Sequence, residues 1–334
     1  MVGDPIGDYL PTLIRFVVLA VVVLGVSVGV HYVLRNVFHL KRDIAIGFSL
    51  ITPWILGFLI FNLIPIVSTF VLSFTDYNLQ QTPNFIGTQN YETLIGSDIN
   101  FWPSIRLTVL YSVISVPISV TLSLLLSLVL SRNLKGIGVY RVLYYLPSIV
   151  PAVAVVLLWR WIFNPDVGLL NLILSPILNL TNTPSPDWFG DEKFVLPAFI
   201  IMSLWTALGN NTVIMLGARK GVAGDLYEAA SIDGANSWTK FLRITIPMMT
   251  PAIFFLVVVE FASAMQLFTP AAFARATPAA GRFMNLLIYT YGFQQSRMGY
   301  ATALAVILFL LILAATIVLF RSQARWVYYE GQER

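Results

Sequence analysis

Seven long apolar stretches separated by short polar ones set the pattern of this chain. They run over about 13–34, 47–74, 104–131, 142–163, 195–217, 249–268 and 300–320, each near the roughly 20 residues that cross a bilayer as a helix. Backbone groups in lipid must bond within the chain, so helices are the default for such stretches. The alternating segments of about ten residues that mark a membrane barrel are absent. The pattern predicts an all-α membrane protein of about seven transmembrane helices. The second and third stretches are long enough to tilt or to project beyond the bilayer. The first resembles a signal peptide in position only. Its apolar run exceeds the usual length of about 7–15 residues, and no small-x-small cleavage site closes it, so it too reads as a span.

The most informative polar segment lies between spans five and six, over about 218–248. Asp225 is placed to cap a helix in which Glu228 reaches back, a capping-box arrangement. Leu226, Tyr227, Ala229, Ala230 and Ile232 then form a small apolar surface. Asp233-Gly234 reads as a helix stop, because glycine enters the left-handed region freely. Asn236 or Ser237 starts a second short helix with Trp238, Phe241 and Leu242, and Pro247 is expected to end it. The segment therefore predicts a helix–turn–helix along one membrane face, a form suited to docking in a partner's groove.

Composition agrees with lipid as the main solvent. The 334 residues are 57% hydrophobic and only 11% charged, against about 25% charged in a soluble domain; mean hydropathy is +0.80. With no cysteine and only His31 and His39, disulfides, thiolate sites and a histidine-built metal centre are excluded. A net charge of +4 would point to nucleic acid in a soluble protein, but here lysine and arginine retained on the cytoplasmic side account for it, and no nucleic-acid partner is expected.

Basic residues also predict orientation. One side receives Arg35, Lys41, Arg42, Arg132, Lys135, Arg141, Arg219, Lys220, Lys240, Arg243, Arg321, Arg325 and Arg334. The other receives Arg15, Arg106, Arg160, Lys193, Arg275, Arg282 and Arg297. The larger group marks the cytoplasm, which puts the N-terminus outside and the C-terminus inside. The loop holding Arg275, Arg282 and Arg297 breaks the rule, so it folds against protein or the last two spans are shifted. Alternatively, these arginines attract an anionic solute or the acidic lobe of a binding protein.

The polar segment carries a further signal. Glu228-Ala229-Ala230, then Gly234, then Ile244-Thr245-Ile246-Pro247 resembles the Glu-Ala-Ala, Gly, Ile-x-Leu-Pro pattern of the permease subunits of ABC importers. Spacing matches at every step, with Ile246 in place of leucine. Six fixed identities at one position arise by chance on the order of once in ten million. Leu226-Tyr227 and Ile232-Asp233-Gly234-Ala235 resemble the carbohydrate-type importers, which include the maltose and glycerol-phosphate transporters. Phe74-Thr-Asp-Tyr-Asn78, Phe85-Ile-Gly87, Asn90-Tyr91 and Gly299-Tyr-Ala-Thr-Ala-Leu304 do so as well. The resemblance divides the chain into an extra N-terminal helix with linker (1–46), an importer transmembrane domain (47–320) and a cytoplasmic tail (321–334). The extra helix is similar to that of the N-terminally extended member of the permease pair. One departure is the sequence Ala274-Arg-Ala-Thr-Pro-Ala-Ala-Gly281, where the family has a Thr-x-Gly-Gly-Pro turn.

The resemblance implies a non-enzymatic subunit working with a second permease, a dimeric ABC ATPase and an extracytoplasmic solute-binding protein. The chain has no Gly-x4-Gly-Lys-Ser/Thr segment. ATP and magnesium are therefore expected on the partner ATPase and no cofactor on this chain. Asp225, Glu228, Ala229, Ala230, Asp233, Gly234, Ile244 and Pro247 form the implied coupling element, with Glu228 ion-paired to the ATPase. The plainer alternative is that Glu228 only caps its own helix.

For the solute path, amides and ionisable groups in mid-membrane are costly and usually face a cavity or another helix. Span six holds Glu260, Ser263 and Gln266; span five holds Ser203, Thr206, Asn210 and Asn211, with Trp205 among them. Amides and hydroxyls bind sugar hydroxyls, and an aromatic face stacks on a sugar ring. The candidate path is Trp205, Asn210, Asn211, Glu260, Ser263 and Gln266. Such residues also hold helices together, and that reading stands beside the first. Competing functions are an importer for a polyol or phosphorylated glycerol and an ion-gradient carrier, which would show paired inverted halves with midplane acids.

Overall fold

The computed structural model describes residues 5–131, 135–277 and 282–329. Arg132, Arg334, positions 278–281 of the departing turn and the last five residues of the tail fall outside them. Two compact units make up the chain, Met1–Val71 and Leu72–Arg334. The described residues are helical apart from loops and one isolated bridge between Thr75 and Phe85.

In the first unit, α1 (Pro5–Asn36) is one span. The other is α2 (Arg42–Phe58), which continues through a π-turn at Leu59–Leu63 into α3 (Ile64–Leu72). Only 6% and 0% of their most apolar windows are buried, as suits helices solvated by lipid. In the second unit the continuous spans are α5 (Phe101–Leu130), α9 (Glu192–Gly221) and α15 (Met298–Trp326), together with α11 (Ser237–Lys240) running through a π-turn at Phe241–Thr245 into α12 (Ile246–Met265). Shorter helices complete it: α4 (Gln89–Gly96), α8 (Leu169–Leu180), α10 (Gly224–Ile232), α13 (Thr269–Ala274) and α14 (Met284–Tyr289).

Two sequence expectations are corrected. The fourth span is not one helix, because α6 (Ile137–Ile149) and α7 (Ala152–Ile162) meet at 99°. Pro151 explains the break: the residue before a proline avoids the helical region, and Val150 sits at φ −68°, ψ 132°. Each leg is only about 16–20 Å long, too short to cross alone. The second correction concerns Pro247, which does not end a helix. Lacking an N–H and crowding the carbonyl four residues back, it is accommodated by the π-turn just before it, and the helix continues to Met265. Pro65 stands at the same offset from the π-turn at Leu59–Leu63.

The core of the second unit rests on a stripe of small hydroxyl residues along α5. Ser104, Thr108, Ser112, Ser115, Ser119, Ser123 and Ser127 recur every three or four positions and are all buried. Small residues let membrane helices approach closely, and α9 packs along α5. Two bonds fix the neighbours: Asn211 Nδ2 donates to Ser119 Oγ at 3.0 Å, and the Met284 N–H donates to Thr108 Oγ1 at 3.0 Å. On its other side α9 meets α6 at Gly209, where an added Cβ would stand 2.9 Å from the Tyr144 carbonyl oxygen.

Four motifs quoted separately from the sequence converge at one end of this unit. Asn90 Nδ2 donates to the Ser73 and Thr75 carbonyls, both at 2.9 Å. The Gly299 N–H donates to the Tyr77 carbonyl at 2.8 Å, and a side chain at Gly299 would run into the Thr75 carbonyl. Ile86 N–H pairs with Phe74 O at 2.9 Å, and Gly87 takes φ +62° to turn the chain into α4. Beside this knot, Asp98 Oδ2 accepts bonds from the hydroxyls of Tyr291 and Tyr300, each 2.7 Å, and Arg297 lies 4.2 Å over the Tyr300 ring. Burial alone would raise the Asp98 carboxyl, but the Tyr291, Tyr300 and Asn100 donors and the Arg297 charge hold it below 3.8.

Two outcomes follow for stability in detergent. Gly209→Ala should lower unfolding stability by about 1–3 kcal/mol through overpacking. Gly217→Ala, with nothing within 4 Å, should raise it by up to about 1 kcal/mol. Asp98 has a folded pKa below its unfolded one, so its contribution is complete above 3.8 and is lost as pH falls through the folded value. Asp98→Asn should therefore cost about 1–2 kcal/mol at neutral pH, allowing for partial exposure. A pH series of melting curves should show the gap to the native chain closing below 3.8.

Candidate functional site

A cavity of about 330 Å³ opens among α5, the α6–α7 break, α9 and α12, at the lower end of the roughly 300–1,000 Å³ typical of small-molecule sites. Its polar lining comes from Tyr111, Ser115 and Ser119 on α5, Ser148 at the break, Ser203, Thr206 and Asn210 on α9, and Glu260 and Ser263 on α12. The break supplies more than a gap. Because α6 stops at Ile149 and α7 turns away, Pro147, Ser148, Val150 and Ala152 form one wall. The aliphatic side chains of Val155, Val156, Met202 and Leu267 make up much of the rest.

Of the six sequence-predicted path residues, Asn210, Glu260 and Ser263 line this cavity. Asn211 stands behind it, 3% exposed, with its amide on Ser119 and within hydrogen-bonding reach of Glu260. It ties α9 to α5. Trp205 and Gln266 do not reach the cavity. Trp205 packs edge-on to Trp159 with centroids 5.9 Å apart, since its α9 position faces the α7 side. Gln266 lies at the C-terminal end of α12 and bonds back to Ala262 O at 2.9 Å, while its own carbonyl accepts from Asn285. The sequence reading missed Tyr111, Ser115, Ser119 and Ser148. The signal for the α5 serines was present as their three-to-four-residue period; Ser148 depended on the Pro151 break.

The second candidate element is the hairpin of α10 and α11. The expected capping box is not formed. The helix starts at Gly224 with Ala223 preceding it, which places Asp225 inside the first turn, where a carboxylate favours the positive end of the helix. Glu228 is exposed and makes no hydrogen bond among the described residues, so it does not cap its own helix. Gly234 takes φ +76°. The Gly234 and Ala235 N–H groups close α10 onto Ser231 O and Ala230 O at 3.1 and 2.8 Å, as a glycine-terminated helix does. Asp233, beside it, is exposed. Asn236 caps α11 by accepting from the Thr239 N–H at 2.8 Å. Leu226, Ile232, Trp238 and Leu242 are 40%, 87%, 66% and 44% exposed, and Glu228 and Ala229 lie among them on the surface, with Ala230 half-buried. Ile244 and Pro247 are half-buried instead, and Ile244 packs on the core. The end of α15 shares this region, since the Tyr328 N–H donates to Thr250 Oγ1 at 2.8 Å.

The three arginines of the irregular loop separate. Arg297 is held over Tyr300. Arg275, at φ +56° after α13, lines two other cavities, one shared with Arg282 and the other with Arg160 and Asp187.

Residues 119–327 match the model of a family described as binding-protein-dependent transport system inner membrane component. The "Probable ABC transporter permease protein YesP" of Bacillus subtilis is 34% identical over 305 residues, covering 88% of this chain and 95% of the relative. The trehalose/maltose transport system permease protein MalF of Thermococcus litoralis is 29% identical over 280 residues, covering 83% and 93%. Among solved structures, a bacterial alginate ABC transporter in complex with an alginate pentasaccharide-bound periplasmic protein has a chain of the same fold. Its TM-score is 0.75 at 23% identity, with 87% of this chain and 98% of that chain covered.

The cysteine-free background makes the cavity directly testable. A water-soluble thiol reagent should modify Ser263→Cys, on the cavity wall, roughly tenfold faster than Ser123→Cys, which is fully buried and outside the cavity. Mass spectrometry of the chain reads both rates.

Proposed function

This chain belongs to the family of binding-protein-dependent transport system inner membrane components, and on that premise we propose that it is one of two permeases in an ATP-driven importer of sugars or related polyhydroxy solutes. The resemblance read from residues 225–247 is borne out by the family match. One observation carries the mechanism. A single continuous helical run, α11 to α12, bears the exposed hairpin at its start and Glu260 and Ser263 in the cavity further along.

In this reading the α10–α11 hairpin docks in a groove of a separate ATPase. Leu226, Ile232 and Trp238 supply apolar contact, Ala229 permits close approach, and the unpaired Glu228 supplies an ion pair. ATP and magnesium act on that partner. Movement of the hairpin tilts α12 and α9 and changes access to the cavity. Basic residues around the hairpin and at the end of α15 support a cytoplasmic position for that end and an N-terminus outside. A binding protein delivers solute at the opposite end, and the second permease completes the path.

Hydroxyls and amides around the cavity suit hydroxyl-rich solutes, and relatives named for trehalose and maltose agree with this. Glu260 offers oxygens that accept hydroxyl donors, which suits a saccharide.

Co-expression with its chromosomal neighbours, purification and reconstitution in liposomes test the proposal. An ATPase and a second permease should co-purify, and ATP should drive uptake of labelled maltose, trehalose or arabinose oligomers above that of glycerol phosphate. Glu228→Lys should cut ATP-driven uptake at least about tenfold through like-charge repulsion at the dock. A chain that purifies alone, indifferent to Glu228, would sink the proposal.

A further inference from the structure

Tyr227 is the one aromatic residue of α10, and it points opposite to its neighbours. Leu226 and Glu228 face outward, whereas the Tyr227 ring packs on the core. The guanidinium carbon of Arg219, near the end of α9, lies 4.7 Å from the ring centroid. Arg219 Nε is buried and has no hydrogen-bond partner among the described residues, and the face of the ring lies against its guanidinium. At the far edge of the ring, the Tyr227 hydroxyl meets Thr245 Oγ1 at 2.9 Å. Thr245 is 3% exposed and closes the π-turn that opens α12.

The circuit closes through Lys240. Thr245 Oγ1 donates to the Lys240 carbonyl at 3.4 Å, which leaves the Tyr227 hydroxyl as donor to Thr245. Lys240 Nζ donates to Ser231 Oγ at 2.5 Å, and Ser231 Oγ donates to the Tyr227 carbonyl at 2.7 Å. One residue is thus gripped at its ring face, its hydroxyl and its backbone, by α9, by the π-turn and by α11. The helices so gripped carry Asn210 and Glu260 into the cavity.

We propose that Tyr227 is the positioning residue that transmits displacement of the hairpin to α9 and α12, through Arg219 on one side and Thr245 on the other. The proposal rests on the coupling role given to the hairpin above. The hairpin's outward face meets the partner; Tyr227, on its inward face, converts a shift of α10 into a joint movement of the two helices that hold the cavity's amide and carboxylate. A π-turn lets such a movement enter a helix, because its hydrogen-bonding register has an alternative.

The test uses the assembled transporter and needs no knowledge of the solute. Ala207 lines the cavity and the chain has no other cysteine, so Ala207→Cys reports access to a water-soluble thiol reagent, read by mass on this chain. With Tyr227 intact, trapping the ATPase with magnesium-ATP and vanadate should change the labelling rate about fivefold, equivalent to about 1 kcal/mol of population shift. In Tyr227→Leu the ATPase should still co-purify and still trap nucleotide, while the labelling change collapses to less than about twofold. Tyr227→Phe, which keeps the ring over Arg219 and loses only the hydroxyl, should fall between. A full labelling response in Tyr227→Leu would overturn the proposal. So would loss of the ATPase from that variant, which would make Tyr227 part of the dock itself. If no ATPase accompanies the native chain, it is the coupling role of the hairpin that fails.

Discussion

Lipid offers no hydrogen bonds, so each backbone N–H and C=O within a span must find its partner inside the protein. This constraint governs what prolines do here. Pro65 and Pro247 each remove a donor from a spanning helix, and in both places the helix widens into a π-turn rather than breaking. Pro151 acts differently. It forces Val150 into an extended conformation, and the fourth crossing divides into two short legs. That irregular backbone lines a cavity instead of facing lipid, which is where a membrane protein tolerates it.

Close packing supplies the other half of the arrangement. The hydroxyl stripe on α5 removes bulk along a whole helix face, and α9 settles against it. Most of those hydroxyls bond to their own helix one turn back, as Ser104, Thr108 and Ser112 do. They cost little to bury and remain small. Where Asn211 crosses to Ser119, the contact between helices becomes specific. Asn211 also stands close to Glu260, so the amide that joins α9 to α5 lies next to the cavity's acidic side chain.

Much of this was legible in the sequence. Apolar stretches located the spans, though the fourth was read as one helix, and the Glu-Ala-Ala pattern located the hairpin and its Gly234 turn; of the two cap candidates, Asn236 and Ser237, it is Asn236 that caps α11. What escaped was three-dimensional. Whether the polar residues of spans five and six meet depends on helix rotation, which sequence spacing gives only along one helix. Asn210, Glu260 and Ser263 came together, while Trp205 turned toward Trp159 and Gln266 lay beyond the end of its helix. The capping box failed by two residues of helix start, Ala223 standing where Asp225 was expected, a scale at which sequence patterns lose resolution. The knot at Gly299 was quoted as four unrelated fragments because contacts across more than two hundred residues leave no local trace.

The π-turn at Phe241–Thr245 has an angular consequence. It amounts to one extra residue inserted in an α-helix, and each residue advances an α-helix by about 100°. Everything beyond Thr245 is therefore rotated by about that angle relative to a helix wound without it. In the uninterrupted helix Glu260 and Ser263 would point well away from Asn210, and the cavity would lose its carboxylate. The bulge acts as a dial between the hairpin and the membrane interior: its single surplus residue decides which face of α12 lines the cavity.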